Sequence, residues 1–229
     1  TKKDRQPITD ELIKKLLEKE EAISILEVGS SCGINSLKLI NDLDQKLKKF
    51  FITDLFFGMP YLNKSGFTYF YHPKSKKCVM AASDKFVYYD ALKTRFPFLN
   101  RITSKVISSA PNLREKYEVL NFLHPKIRTL KKNDNRIEVF EYDIFNKWKL
   151  EKVNVVKCAN VLNKAYFNNK ELNIAVKNLG SILTEDGILA ITRNRSFNNE
   201  EIGTIFKKDK NKKLILIKEI NGGIDFKIN

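Results

Sequence analysis

Glu27, Gly29, Gly33 and Asp54 are the residues of this chain whose types and spacing could do chemistry. The first three fall in "ISILEVGSSCGINSLKLI", where an apolar run ends on a carboxylate, two glycines bracket Ser30-Ser31-Cys32, and an apolar pattern of helical spacing begins. The chain has only 9 glycines among 229 residues, so two in one turn need a reason. A glycine turn between a strand and a helix lets backbone approach a ligand and leaves the N–H groups of the helix start free, which is how α/β folds hold nucleotides. A phosphate-gripping loop needs G-x-x-x-x-G-K-[ST], and no lysine follows Gly33. A dinucleotide turn needs G-x-G-x-x-G, but position 31 is Ser31 and the spacing differs. The ligand left is a nucleoside without phosphates. Asp54, closing "KFFITDLF", suits such a ligand because a carboxylate accepts two hydrogen bonds from a vicinal diol.

These residues need a parallel α/β scaffold, and the flanking patterns predict one. "PITDELIKKLLEKEEA" reads as a helix capped by Thr9, with Leu12, Ile13, Leu16 and Leu17 on one face. "ISILEV" is a buried strand; Leu37, Ile40, Leu43 and Leu47 mark a second helix; "KFFITDLF" is the next strand. That order is a βαβ unit. Downstream, "RIEVFEYDIF" is a strand ending near Asp143, and "KVNVVKCANVL" is a strand buried on both faces, with Lys157 expected at an edge or snorkelling. "YFNNKELNIAVKNLGSIL" is a helix with Asn168 and Glu171 as a capping box, a staple of Phe167 on Leu172, and Gly187 as its close. "ILAITRN" follows as a strand, and "KLILIKEINGGIDFKIN" as two antiparallel strands around Asn221-Gly222-Gly223. The stretch between Asp54 and Ile137 is far longer than a crossover needs. We read residues 58–130 as an insertion, a small hairpin turning at Pro73–Lys76 plus helices, serving as substrate wall or lid of a single domain 1–229.

On these residues the chain resembles the class I S-adenosylmethionine-dependent methyltransferases. "ILEVGSSCG" is similar to the family's first motif, an acid followed by G-x-G-x-G, with Ser31 in place of the middle glycine. The resemblance implies a Rossmann-like, mostly parallel seven-stranded sheet with helices on both faces, a C-terminal antiparallel hairpin, and the insertion between strands 2 and 3. It implies S-adenosylmethionine as cofactor and S-adenosylhomocysteine as product. Glu27, Gly29, Ser31 and Gly33 would form the cofactor turn, and Asp54 with Leu55 would take the ribose. Asp143 and Ile144 would hold the adenine, and Asn160 would lie beside the methionine end. For Asp143 a plain turn role stays open. Asn163, Tyr166 and Arg193 fall on the substrate side, Arg193 suiting an anionic acceptor. No residue stands out as a general base, so the catalytic residues stay unknown.

Absences narrow the acceptor. "NVLN" stands where base-amino methyltransferases carry N/D/S-P-P-Y/F, and Cys158 follows Lys157 where cytosine C5 enzymes have Pro-Cys. A small molecule or sugar is the favoured acceptor, with RNA or a protein carboxylate behind it. A methyltransferase-fold binding module without catalysis is the alternative from another class. The net charge of +15 allows an RNA partner. Lysine, however, outnumbers arginine about four to one, a bias that solvates a surface rather than reading phosphates. Three scattered cysteines predict a reducing, cytoplasmic setting. His72, Cys78 and His124 are too dispersed for a metal site, and no apolar run is long enough for a membrane span.

Overall fold

The computed structural model describes residues 5–90, 97–113, 116–195 and 197–228. Helix α1 (Pro7–Leu16) leads into β1 (Ile23–Val28), which is buried along its whole length. The turn and α2 (Ser36–Leu43) follow, then β2 (Leu47–Asp54). The insertion holds β3 (Gly58–Lys64), β4 (Phe67–Tyr71), β5 (Cys78–Ala82), β6 (Val87–Tyr89), α3 (Pro97–Ser108) and β7 (Glu118–Asn121). The chain returns through α4 (Pro125–Asn133), β8 (Ile137–Glu141), β9 (Val153–Ala159), α5 (Asn169–Ile182) and β10 (Leu183–Asn194), and ends with β11 (Glu201–Lys208) and β12 (Leu214–Ile220). It divides into two compact units, Thr1–Leu55 with Leu123–Asn229, and Phe56–Phe122.

The first unit is built on a seven-stranded sheet in the order β12-β11-β10-β9-β1-β2-β8. From β8 to β10 the strands are parallel, and β11 runs antiparallel to both its neighbours. Apart from that hairpin this is the doubly wound order, whose direction of winding reverses between β1 and β9. Helices cover both faces. On one, Leu172, Ala175, Val176 and Leu179 of α5 share a core with Leu26, Phe51, Val156 and Leu189. On the other, Asp10 of α1 meets Lys157 of β9, and Ile127 of α4 lies by Ile52 and Gly33. Sheet strands enclosed on both faces need continuous apolar runs, which is why β1 and β9 were legible from sequence.

Several boundaries differ from the sequence reading for local reasons. Thr9 sits inside the first turn of α1 rather than capping it, because Pro7 starts the helix and the Glu201 carboxylate accepts the N–H groups of Ile8 and Thr9, both at 2.9 Å. Leu47 begins β2 instead of ending α2, which stops at Leu43 before a short 3-10 turn. The capping box of Asn168 and Glu171 is present, but Gly187 lies within β10 rather than closing α5. The C-terminal hairpin exists but turns at Asp209–Lys213, between β11 and β12. Asn221, Gly222 and Gly223 all have positive φ and lead out of β12 into a coil that buries Phe226 in the core. The antiparallel strand is therefore β11, and the last strand runs in the direction of β10.

The second unit is an antiparallel sheet of five strands, β6-β5-β4-β3-β7, packed on α3 through Leu62, Tyr69, Tyr71, Val106 and Ile107. The expected hairpin across Pro73–Lys76 is there as β4 and β5. Where helices were expected, from residue 84 on, β6 and β7 are strands and α3 is a helix, while 91–96 and 114–115 lie outside the described residues; β3 is a further strand that the sequence did not reveal. Pro60, Asn63 and Gly58 hide β3 from a propensity reading, and the hairpin it makes with β4 depends on Ser65 and Gly66, both at positive φ.

Candidate functional site

The turn after β1 is tightly specified. The Ser30 N–H donates to the Thr53 carbonyl (3.0 Å), the Gly33 N–H to Ser30 (2.9 Å), and the Ser36 N–H to Gly33 (3.0 Å). Gly29 (φ +73) and Gly33 (φ +75) are left-handed, and so is Ser31 (φ 57), so the turn needs residues that tolerate αL. The two glycines serve different ends. Gly29 lines a cavity, and a Cβ on it would lie 2.1 Å from Cγ2 of Val161. Gly33 does not line that cavity, and its missing Cβ makes room for Ile127 of α4 at 3.1 Å and Ile52 at 3.4 Å.

At the end of β2 the Asp54 carboxylate is held from both sides, Oδ2 accepting the Ser31 N–H and Oδ1 the Leu55 N–H, each at 2.7 Å. Its side chain faces the cavity, and each oxygen keeps a further lone pair. Leu55 contributes this backbone donor, while its side chain is exposed and outside the lining.

Glu27 lies in the middle of a buried charge cluster that the sequence reading missed. Its carboxylate accepts a hydrogen bond from the Ser36 hydroxyl and stands 3.3 Å from Nζ of Lys157, which is also 2.6 Å from Asp10 Oδ1. Lys157 is fully buried in a central strand, opposite Glu27 in register. It is neither an edge residue nor a snorkelling one, because α1 brings a carboxylate to it. Burial alone would pull Lys157 down, but Glu27 and Asp10 outweigh it and the ammonium titrates above the ordinary lysine range. Burial pushes Asp10 up against the opposing pull of Lys157, with Glu27 and Glu201 adding to the rise. Two carboxylates thus face one ammonium.

The end of β9 supplies the opposite wall. Asn160, in the left-handed region at φ 61, donates its N–H to the Thr192 carbonyl (2.8 Å). It also exchanges hydrogen bonds with Asn194, 2.8 Å through the Asn194 N–H and 3.3 Å through Asn160 Nδ2. Asn194 was not singled out in the sequence, yet it also accepts from Gln6 (2.9 Å) and donates to the Arg5 carbonyl (2.9 Å), fastening the start of α1 beside the site. No local signal marks this role, since Arg5, Gln6 and Asn160 are remote from it in the chain.

Glu27, Gly29, Ser31, Asp54 and Asn160 come together around one cavity of about 350 Å³, with Tyr166 at its margin. Small-molecule sites start at about 300 Å³. Asp143 and Ile144 do not line it. Asp143 accepts the Phe145 N–H (3.0 Å) as a turn residue, and Ile144 is buried in the core with its carbonyl bonded to Asn178. Phe145, 39% exposed and edge-on to Phe167 at 5.5 Å, is the apolar surface left at that strand end. Asn163, Tyr166 and Arg193 line a second cavity of about 780 Å³, which shares Arg5, Asn160 and Tyr166 with the first.

The smaller cavity thus lies at the carboxyl ends of β1, β2 and β9, across the point where the winding reverses, which is where doubly wound sheets take their ligands. Its floor is the glycine turn, and the carboxylate at the end of β2 faces it. This is a Rossmann-like, mostly parallel doubly wound α/β fold.

No family model matches the chain, and no curated protein does. Solved structures of methyltransferases are distantly similar. The carbon methyltransferase of CurJ is 13% identical over 84% of this chain and 35% of its own (TM-score 0.42). An O-methyltransferase family protein from Burkholderia thailandensis is 14% identical over 82% and 37% (TM-score 0.41). The trans-methyltransferase CalH, solved with S-adenosylhomocysteine, is 15% identical over 80% and 35% (TM-score 0.40). The chain spans little more than a third of the length of each. Topology and turn residues, rather than this likeness, carry the fold assignment.

Cys158 is ruled out as a nucleophile. It is fully buried in β9, and burial pushes its thiol up to about 12. A disulfide reagent is expected to label Cys32 and Cys78, both partly exposed, in the native protein, and Cys158 only on unfolding. Equal labelling rates for all three would contradict this burial. Among the described residues no three His, Cys, Asp or Glu side chains gather as a metal site, and no helix is long and apolar enough to cross a membrane.

Proposed function

We propose that the chain is an S-adenosylmethionine-dependent methyltransferase acting on a small-molecule acceptor. The observation that carries this is the single cavity on which Glu27, Gly29, Ser31 and Asp54 converge at the sheet's switch point. The residues fit the cofactor. Ser30 Oγ and Asn35 Oδ1 are buried, line this cavity and lack hydrogen-bond partners among the described residues, so polar groups of a ligand would satisfy them. Asp54 would take the ribose hydroxyls with the lone pairs its backbone donors leave free. The pairing of two buried carboxylates with one ammonium leaves Glu27 to favour a cationic ligand. Phe145 would flank the base.

The cofactor, when bound, supplies a methyl group on a sulfonium, a good leaving group. The protein's own part is to position the acceptor and exclude water. Asn160 and Tyr166, common to both cavities, would orient the acceptor where the two meet. A base is needed only for an acceptor that must lose a proton early.

Calorimetric titration with S-adenosylmethionine and S-adenosylhomocysteine tests this reading. Micromolar binding is expected. Asp54→Ala should weaken it about ten- to a hundredfold, the worth of hydrogen bonds to a charged acceptor at about 1.5–3 kcal/mol. A folded wild-type protein that binds neither compound at millimolar concentration would sink the reading in favour of a non-catalytic binding module.

A further inference from the structure

Only 8 of this chain's 42 basic residues are arginines, and three of them, Arg5, Arg193 and Arg195, line the 780 Å³ cavity. They arrive from different places. Arg193 ends β10, Arg195 follows it, and Arg5 precedes α1, which Asn194 ties down through the Arg5 carbonyl. One carboxylate in the lining, Asp225, stands 3.3 Å from Nη1 of Arg193. Arg195 has Glu200 at 3.4 Å from its Nε and donates to the Asn221 carbonyl at 3.3 Å. Three guanidinium groups against two carboxylates, Asp225 and Glu200, leave a net positive charge here among the described residues. Arg193 Nε is moreover buried without a hydrogen-bond partner among the described residues, a donor whose desolvation stays uncompensated until something accepts from it. A guanidinium fork matches a carboxylate or phosphate in shape as well as charge, which lysine does not. Tyr166 (71% exposed) and Phe197 (79% exposed) add aromatic walls to this same cavity.

We propose that this cavity binds a small anionic molecule, an aromatic or apolar body carrying a carboxylate or phosphate, as the methyl acceptor. The identity of that molecule as acceptor rests on the methyltransferase reading; the anion site itself does not. An oxygen gripped by guanidinium is a poor nucleophile, so the anion is the anchor. The atom that receives the methyl group is a different one, presented at the junction of the cavities by Asn160 and Tyr166.

The test is calorimetric titration of the full chain at physiological salt, where long-range attraction by the +15 surface is screened. The probes are benzoate, phenyl phosphate and, as neutral control, benzamide, each with and without saturating S-adenosylhomocysteine. At least one anion is expected to bind, the stronger one naming the headgroup, while benzamide does not. Arg193→Gln should weaken the anion about ten- to a hundredfold and leave S-adenosylhomocysteine affinity unchanged, whereas Lys132→Gln, at an exposed position of α4, should change neither. If Arg193→Gln fails to fold, Arg195→Gln, at a residue that lines the larger cavity and not the smaller one, carries the same expectation. Anion binding that the arginine variants do not weaken, equal binding of benzamide, or binding of no anion would overturn the proposal. Loss of S-adenosylhomocysteine binding with anion binding intact would instead overturn the methyltransferase reading.

Discussion

Replacing Lys157 with methionine is expected to destabilise the protein by about 3–5 kcal/mol, because it leaves two buried carboxylates without their cation. Lys157 is fully buried, 2.6 Å from Asp10 and 3.3 Å from Glu27. Methionine fills much of the same space, so packing loss is a minor part of the effect. At this chain length the change corresponds to a fall in Tm on the order of 10 °C. The triple variant Lys157→Met, Asp10→Asn, Glu27→Gln should recover most of the loss, since removing a whole buried ion cluster is commonly neutral or stabilising. It should not recover cofactor affinity, because the carboxylate that favours a cation has gone with it. The pH dependence has a definite sign. The folded pKa of Lys157 is raised, so its contribution is fully present below the ordinary lysine pKa and is lost as pH rises through the raised value. Wild type and Lys157→Met should therefore converge in alkali. Urea unfolding across pH measures all of this, and a single variant as stable as wild type at neutral pH would refute the charge cluster.

Gly29→Ala is expected to cost about 2–5 kcal/mol through two separable terms. One is backbone: at φ +73 an L-residue gives up about 1–2 kcal/mol. The other is overpacking: the new Cβ would start 2.1 Å from Cγ2 of Val161, and relieving that costs about 1–3 kcal/mol. Val161→Ala added to Gly29→Ala should return the second term and leave the first. Because Val161 belongs to the cavity wall, the single variant should also weaken S-adenosylhomocysteine binding. Thermal unfolding and calorimetry on the three variants separate the terms. No rescue by Val161→Ala would show that backbone strain alone sets the cost.

The βαβ core and its turn were legible because their signals are local. "ISILEV" and "KVNVVKCA" are largely apolar runs, as strands enclosed on both faces require, and Asn168 with Glu171 caps α5 within one helical turn. The insertion was less legible because Gly58, Pro60 and Asn63 interrupt the alternation of a strand whose partners supply its stability. Asn221-Gly222-Gly223 carries a hairpin signature but makes an exit turn, since burying Phe226 in the core wins over one more strand pair.

By itself, then, the sequence determined a doubly wound sheet, a glycine turn after its first strand, and an acid at the end of its second. Each of these rests on residues close together in the chain, where periodicity and spacing act. Only the tertiary structure decided that Lys157 is a buried counter-ion to Asp10 and Glu27, that Gly33 serves packing while Gly29 faces the cavity, and that Ile144 turns into the core. It alone brought Arg5 beside Arg193 and Arg195. Those pairings join segments far apart in the chain, and they are set by which strand ends the crossovers bring side by side and which helix lies over them, a geometry that no local pattern encodes.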